Sequence, residues 1–266
     1  MPDMELACVI GGLLLVGIAV YLFLIWPGNG QRAKPLAGCY IAHRGLHGGD
    51  RIENTLPAFA AAVERGYGVE LDIQLSSDGV PVVCHDYDLK RVFGLDRKVS
   101  ALTAEELKAI GVPRLSEVLT LLEGRVPLVA EIKGESLSTE VCAKAALLLD
   151  AYDGFYCVES FNPMHLGWFR KHRPQVVRGQ LSTAFGKKPD NRRSLLHYAL
   201  RHLLLNVVSR PHFIAYEYRY FGLSTRLCAA LGAQMVCWTP DSKASLTAAK
   251  KHYHCFIFEG FDPEAS

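Results

Sequence analysis

The chain has 266 residues, half of them apolar and 21% charged, with a formal net charge of +2. That size suits one large domain or two small ones, and a charge this small without a long basic block argues against a nucleic-acid partner. The eight cysteines form no CxxC pair and mostly lie in apolar runs, which argues against a disulfide framework and for a reducing compartment.

In chain order, residues 6–26 form an uncharged apolar run. As a helix it would reach about 31 Å, the thickness of a bilayer's hydrocarbon core. Tyr21 and Trp26 suit the interfacial end. A cleaved signal peptide is the rival, but Asp3 and Glu5 stand where a basic segment would be. Arg32 and Lys34 follow the run and no basic side chain precedes it, so a single-pass protein with its large part facing the cytoplasm is expected. The expected organisation is an anchor over 1–27, a short polar linker over 28–37 and one domain over 38–266.

A strand over 38–42 ends in His43-Arg44-Gly45. Asn54-Thr55-Leu56-Pro57 opens a helix, with a cap residue and an early proline, and Gly66 closes it. Residues 69–86 read as two extended runs around Asp78-Gly79. The gap is too short for a parallel crossover, so the second run returns antiparallel. Glu70 and Asp72 are two apart and share one strand face. Two such carboxylates repel unless something positive lies between them. Counting back from the turn brings His85 roughly opposite Glu70, so the hairpin is expected to deliver an imidazole to a carboxylate pair.

Thr103 and Glu106 form a capping box for a short helix, and Ser116 starts another. A strand over 128–133 places Glu131 and Lys133 on one face, and a helix follows over 138–151. Further strands are expected over 155–160, 176–181, 213–216, 234–239 and 255–259. Setting the hairpin's return aside, eight strands alternate with helical or loop segments. This predicts an α/β fold, a (β/α)8 TIM barrel with a hairpin after its second strand and one transmembrane helix before it. Its chemistry belongs at the C-terminal strand ends, where His43, Glu70, Asp72, Glu131 and Lys133 all fall.

Glu70, Asp72 and Glu131 are hard oxygen donors and suit a divalent cation, Mg²⁺ or Ca²⁺. Strand-end carboxylates salt-bridged to Arg44 and Lys133 are the simpler alternative, and zinc held by His43 and His85 is another. Beside a metal-bound phosphate, two imidazoles serve as acid and base. Arg44 and Lys133 would then neutralise phosphate oxygens. His47 is expected to be solvated.

His43-Arg44-Gly45, Glu53-Asn54-Thr55, Glu70-Leu71-Asp72, the Asp78-Gly79 turn, His85-Asp86 and Glu131-Ile132-Lys133, in this order and spacing, resemble the glycerophosphodiester phosphodiesterase family. The likeness runs from about residue 40 to 263 and is to a membrane-anchored bacterial type. Ser160-Phe161-Asn162-Pro163 and Val236-Cys237-Trp238-Thr239 resemble later blocks of that family. The resemblance implies a barrel enzyme that uses a divalent cation to hydrolyse glycerophosphodiesters to sn-glycerol 3-phosphate and an alcohol. It implies Glu70, Asp72 and Glu131 as metal ligands and His43 and His85 as the acid/base pair. Arg44 and Lys133 would contact phosphate, Glu53 would support the site and Trp238 would line the pocket. Glu259 stands where the family usually has aspartate, a departure that bears on pocket shape.

Residues 192–205 are basic and strongly apolar, and read as an outer barrel helix with one buried face or as an interfacial helix against anionic lipid. With the apolar run, the second reading makes lysophospholipids an alternative substrate class, with lysophosphatidic acid as product. A non-catalytic tethered sensor domain is the alternative of another kind, and it would have lost one of these chemical positions. The expected partners are the substrate and a bilayer; oligomeric state is not legible.

Overall fold

The computed structural model describes residues 2–134, 138–185 and 195–264. Its strands are β1 (Tyr40–Ala42), β2 (Gly68–Leu75), β3 (Pro81–Val83), β4 (Leu128–Ile132), β5 (Tyr156–Ser160), β6 (Val177–Ser182), β7 (Phe213–Glu217), β8 (Gln234–Trp238) and β9 (Cys255–Phe258). The first helices are α1 (Pro2–Ile25), α2 (Leu56–Glu64), α3 (Lys90–Phe93), α4 (Ala104–Ala109), α5 (Leu115–Leu122) and α6 (Glu140–Leu149). They are followed by α7 (Pro163–His172), α8 (Leu195–Arg201), α9 (Asn206–Ser209), α10 (Leu223–Ala230) and α11 (Lys243–Ala249).

β1 pairs in parallel with both β2 and β9, which closes eight parallel strands into the expected barrel. β1 covers only the start of β2, and β3 takes the rest of that edge antiparallel. Alternation along the strands sorts the side chains. Ile41, Val129, Cys157, Phe213, Val236 and Ile257 fill the lower interior, while Val69, Leu71, Ala130 and Val158 face the helices.

The segment expected as a polar linker is part of the core. Gly30–Leu36 is a 3₁₀ helix whose Ala33 and Leu36, three residues apart and so on one side, plug the lower end of the barrel. A Cβ on Gly30 would lie 1.9 Å from the Gly232 carbonyl oxygen, so this approach requires glycine. α1 docks as well. Ile25 is fully buried, and its carbonyl accepts from Asn206 Nδ2 at 2.9 Å and Cys228 Sγ at 3.4 Å. Met4–Ile25 is long and apolar enough to cross a membrane, and most of it is exposed.

Two expectations are corrected. Ile73 pairs with Val83, and Cys84 donates its N–H to the Asp72 carbonyl, so the hairpin register falls one residue from the expected one. His85 leaves the ladder beside Asp72 instead of opposite Glu70. Of the basic apolar stretch, 192–194 lie outside the described residues, and no residue of α8 is buried; Leu195 is 83% exposed. The outer side of β6 is covered by α7 and α9, and α8 meets the barrel near its end, where the Leu200 carbonyl accepts from Ser182 Oγ at 2.8 Å.

Candidate active site

β2 carries Glu70 and Asp72 into the upper barrel on one face, and the β2–β4 register sets Glu131 directly beside Asp72. All three are buried, and one carboxylate oxygen from each lies within 4.8 Å of the others. Lys133, just past β4, places Nζ 3.0 Å from Asp72 Oδ1 and 2.8 Å from Glu131 Oε1. The positive φ of Arg44, 55°, lets its backbone N–H donate to Glu70 Oε2 at 2.8 Å. Its Nε lies 3.5 Å from Asp72 Oδ2, and its Nη1 donates to Glu53 at 2.8 Å.

Electrostatics separates the three acids. Burial and the nearby Asp72, Glu131 and Glu159 carboxylates push the Glu70 carboxyl well up, with Arg44 opposing. Burial likewise raises Glu131, against the pull of Lys133. Burial opposes charge on Asp72 too, yet Lys133, His85, Arg44 and the Asn54 amide outweigh it and hold this carboxyl below its usual range. Burial disfavours the Lys133 ammonium, but Asp72 and Glu131 keep it charged. Donors of this type, buried and mutually repelling, fit a hard divalent cation.

Each histidine is gripped by a carboxylate on Nδ1. His85 Nδ1 lies 2.6 Å from Asp86 Oδ1, and His43 Nδ1 contacts Glu259 Oε2. Hydrogen bonding to His43 draws the Glu259 carboxyl down to about 2. The aspartate-to-glutamate departure therefore concerns how His43 is held. His43 Nε2 remains 4.0 Å from Glu70 Oε2, and burial lowers His85 below the ordinary imidazole range.

Several residues here escape a linear reading. Within the stretch expected to open α2, Thr55 takes the cap position, while Asn54 has φ 56° and donates Nδ2 to Asp72 Oδ2 at 2.8 Å, a role its place before a helix does not reveal. Arg91 ties Asp86 to Glu53, at 2.6 Å to each, and so links the two halves of the site. His47, expected in solvent, is half-buried beside Glu259, Glu53 and His43, and burial lowers its imidazole. Glu159 pairs in register with Glu131 and is buried, and its one sequence signal is an acid at an inward position of an apolar strand. Trp238 packs edge-on against Phe161 at 5.7 Å, and its Nε1 has no partner among the described residues. A cavity of about 470 Å³ lies beside these groups, lined by His85, Asp86, Glu131, Lys133, Phe161 and Asn162.

Residues 43–257, which include every one of these groups but Glu259, match the glycerophosphoryl diester phosphodiesterase family. The chain belongs to this family. A glycerophosphodiester phosphodiesterase of Caldanaerobacter subterraneus is 30% identical over 227 residues, covering 77% of this chain and 87% of that one. Among solved structures, a glycerophosphodiester phosphodiesterase from Thermotoga maritima superposes with a TM-score of 0.63 at 28% identity, over 83% of this chain and 94% of that one. An Oleispira antarctica phosphodiesterase in complex with its product sn-glycerol-3-phosphate shares the fold, with a TM-score of 0.69 at 24% identity over 85% and 94% of the two chains. His43, Glu70, Asp72 and Glu131 lie toward the C-terminal ends of β1, β2 and β4, the end at which barrel enzymes place their chemistry, and His85 follows β3.

Proposed function

We propose that the chain is a metal-dependent phosphodiester hydrolase that cleaves glycerophosphodiesters to sn-glycerol 3-phosphate and an alcohol. One observation carries the reading: a buried triad of carboxylates flanked by two histidines, each held by its own carboxylate. Family membership and the named activity of the Caldanaerobacter relative support it.

Glu70, Asp72 and Glu131 would hold the divalent cation, Mg²⁺ or Ca²⁺, which supplies Lewis-acid polarisation of the phosphoryl oxygens when bound. Arg44 and Lys133 sit on the same carboxylates and would place positive charge beside the phosphate. The attacking hydroxyl, from water or from the substrate's neighbouring carbon, forms the new P–O bond as the P–O bond to the alcohol breaks; in the second case the product is a cyclic phosphate, which water then opens to sn-glycerol 3-phosphate. One imidazole takes the attacker's proton at Nε2 while the other, protonated, delivers its Nε2 proton to the leaving oxygen. Glu259 and Asp86 orient the two rings for this exchange, and Trp238 and Phe161 would wall the substrate side.

The barrel, with the Gly30–Leu36 plug as its floor, is then a catalytic domain behind an anchor. The docking of Ile25 onto the barrel supports a retained helix, since cleaving it away would expose a buried contact. Arg32 and Lys34 support a barrel on the cytoplasmic side. A second reading, lysophospholipase D activity at the membrane, is favoured by the exposed Leu195, Leu196 and Tyr198 of α8.

The test is hydrolysis of glycerophosphocholine and lysophosphatidylcholine by detergent-purified protein, with and without Mg²⁺ or Ca²⁺ after chelation. Metal-dependent turnover of the first supports the main reading, and preference for the second supports the lysophospholipase reading. Absence of turnover with metal bound overturns both. His43→Ala should keep the metal and lose the rate; loss of metal in that variant would point to histidine ligation of zinc.

A further inference from the structure

A second cleft, also about 470 Å³, opens on the outer wall between α1, α8 and the loop after β7. Tyr21, Arg201, His202, Arg219, Tyr220 and Ser224 line it, and none of its lining residues is acidic. Arg201 makes no ion pair among the described residues. Arg219 stacks on Tyr218 at 5.0 Å and forms long ion pairs with Glu217 at 3.8 Å and Asp241 at 3.9 Å, which leaves Arg201 as the cation without an acidic partner among the described residues. Ser224 Oγ lies 3.0 Å from the Tyr21 hydroxyl and 3.4 Å from His202 Nδ1, so neutral donors stand beside the two cations. Guanidinium, imidazole and hydroxyl groups around a cleft are the donor set that takes a phosphate.

The level of the cleft follows from the course of α1. Its Ile25 carbonyl meets Cys228 and its Tyr21 hydroxyl meets Ser224, one turn nearer the start of α10. α10 begins beyond the C-terminal end of β7, so the N-terminal continuation of α1 rises past the strand ends that carry the carboxylates. The exposed part above Tyr21, residues 4–20, is about 25 Å long as a helix, most of a hydrocarbon core of about 30 Å. The edge of the hydrocarbon then falls at Tyr21, and the cleft lies at the depth of lipid headgroups. Leu223, 68% exposed, and Tyr198, 58% exposed, stand beside it at the same end.

We propose that this cleft binds the phosphate of an anionic phospholipid headgroup from the leaflet next to the barrel, and thereby sets the mouth of the barrel against that leaflet. The inference rests on α1 crossing a bilayer, as the proposed function reads it, but not on the reaction. The bound lipid is a docking ligand, and the diester that is cleaved enters elsewhere, beside Glu131 and Lys133.

The test is native mass spectrometry of the full chain in detergent, titrated with phosphatidylglycerol, phosphatidylcholine or inorganic phosphate. The expected result is one phosphatidylglycerol bound per chain in preference to phosphatidylcholine, weakened about tenfold in Arg201→Gln with His202→Gln. Arg201→Gln alone, a change at an exposed side chain, should weaken it in the same direction and keeps the test readable if the double variant misfolds. Both variants should hydrolyse glycerophosphocholine at the wild-type rate. Equal phosphatidylglycerol binding by wild type and Arg201→Gln overturns the proposal. Displacement of the lipid by inorganic phosphate at equal concentration also overturns it, in favour of a free-anion site. A wild-type chain that binds the lipid but hydrolyses nothing leaves this site standing and removes the proposed reaction instead.

Discussion

At the scale of single residues, Asp72 is the hub, because one carboxylate receives Lys133, Arg44 and the Asn54 amide. Asn54→Ala removes a hydrogen bond to a buried charge and puts a Cβ-bearing apolar residue at φ 56°, so a loss of about 1.5–3 kcal/mol in urea unfolding is expected. Asn54→Gly keeps the backbone at ease and loses the two hydrogen bonds to Asp72, one donated by Nδ2 to the carboxylate and one accepted by Oδ1 from the backbone N–H. It should recover part of the stability lost in Asn54→Ala. A second residue sets an acid limb of stability. His212 Nδ1 accepts the Arg178 backbone N–H at 3.0 Å, and burial, with Arg178 and Arg32 nearby, pushes its imidazole down to about 3. In the unfolded chain the same ring takes a proton near pH 6.5, so between these values the unfolded state binds more protons and stability rises with pH. That contribution is complete above about pH 6.5 and is lost as the pH falls toward about 3. His212→Asn, which keeps an acceptor that does not titrate, should flatten the melting temperature across that window.

At the scale of elements, the 3₁₀ plug and the hairpin show where local reading stops. The polar residues around Ala33 and Leu36 read as a tether because only two of its side chains are apolar enough to matter. The barrel floor that receives them is built from strands far away in sequence. Leu36→Ala should cost about 2–5 kcal/mol, the range for truncating a buried leucine. A chain beginning at Gly38, the boundary expected from sequence, lacks the whole plug. It should show a lower urea midpoint than the full chain, and an unchanged midpoint would contradict the plug's role. The hairpin was legible as a hairpin from Asp78-Gly79, where Gly79 adopts φ 74°. Its register was not, because turn length and the hydrogen bonds of Ser76 and Asp78 decide it.

At the scale of the whole molecule, barrel closure joins β1 to β9 and so brings Glu259 to His43 across 216 positions of sequence. All eight cysteines are free. Six of them are buried, so thiol titration of the native chain should be slow and should reach eight per chain on unfolding, with no change in melting temperature on adding reductant. A deficit of titratable thiols would show that disulfides form.

The sequence by itself determined the alternation of eight strands, the apolar helix and the placement of Glu70, Asp72, Glu131 and Lys133 together. A strand's period of two and a barrel's constant polarity carry those features without knowledge of any distant contact. The tertiary structure decided the rest. Asn54 and His47 enter the site from loops and Arg91 from the one-turn α3; a positive φ at Asn54 and the long-range ion pair of Arg91 with Glu53, not periodicity, bring these side chains in. No residue of α8 is fully buried, since α7 and α9 already cover the strand before it, and which surface remains to be covered is a property of the assembled barrel.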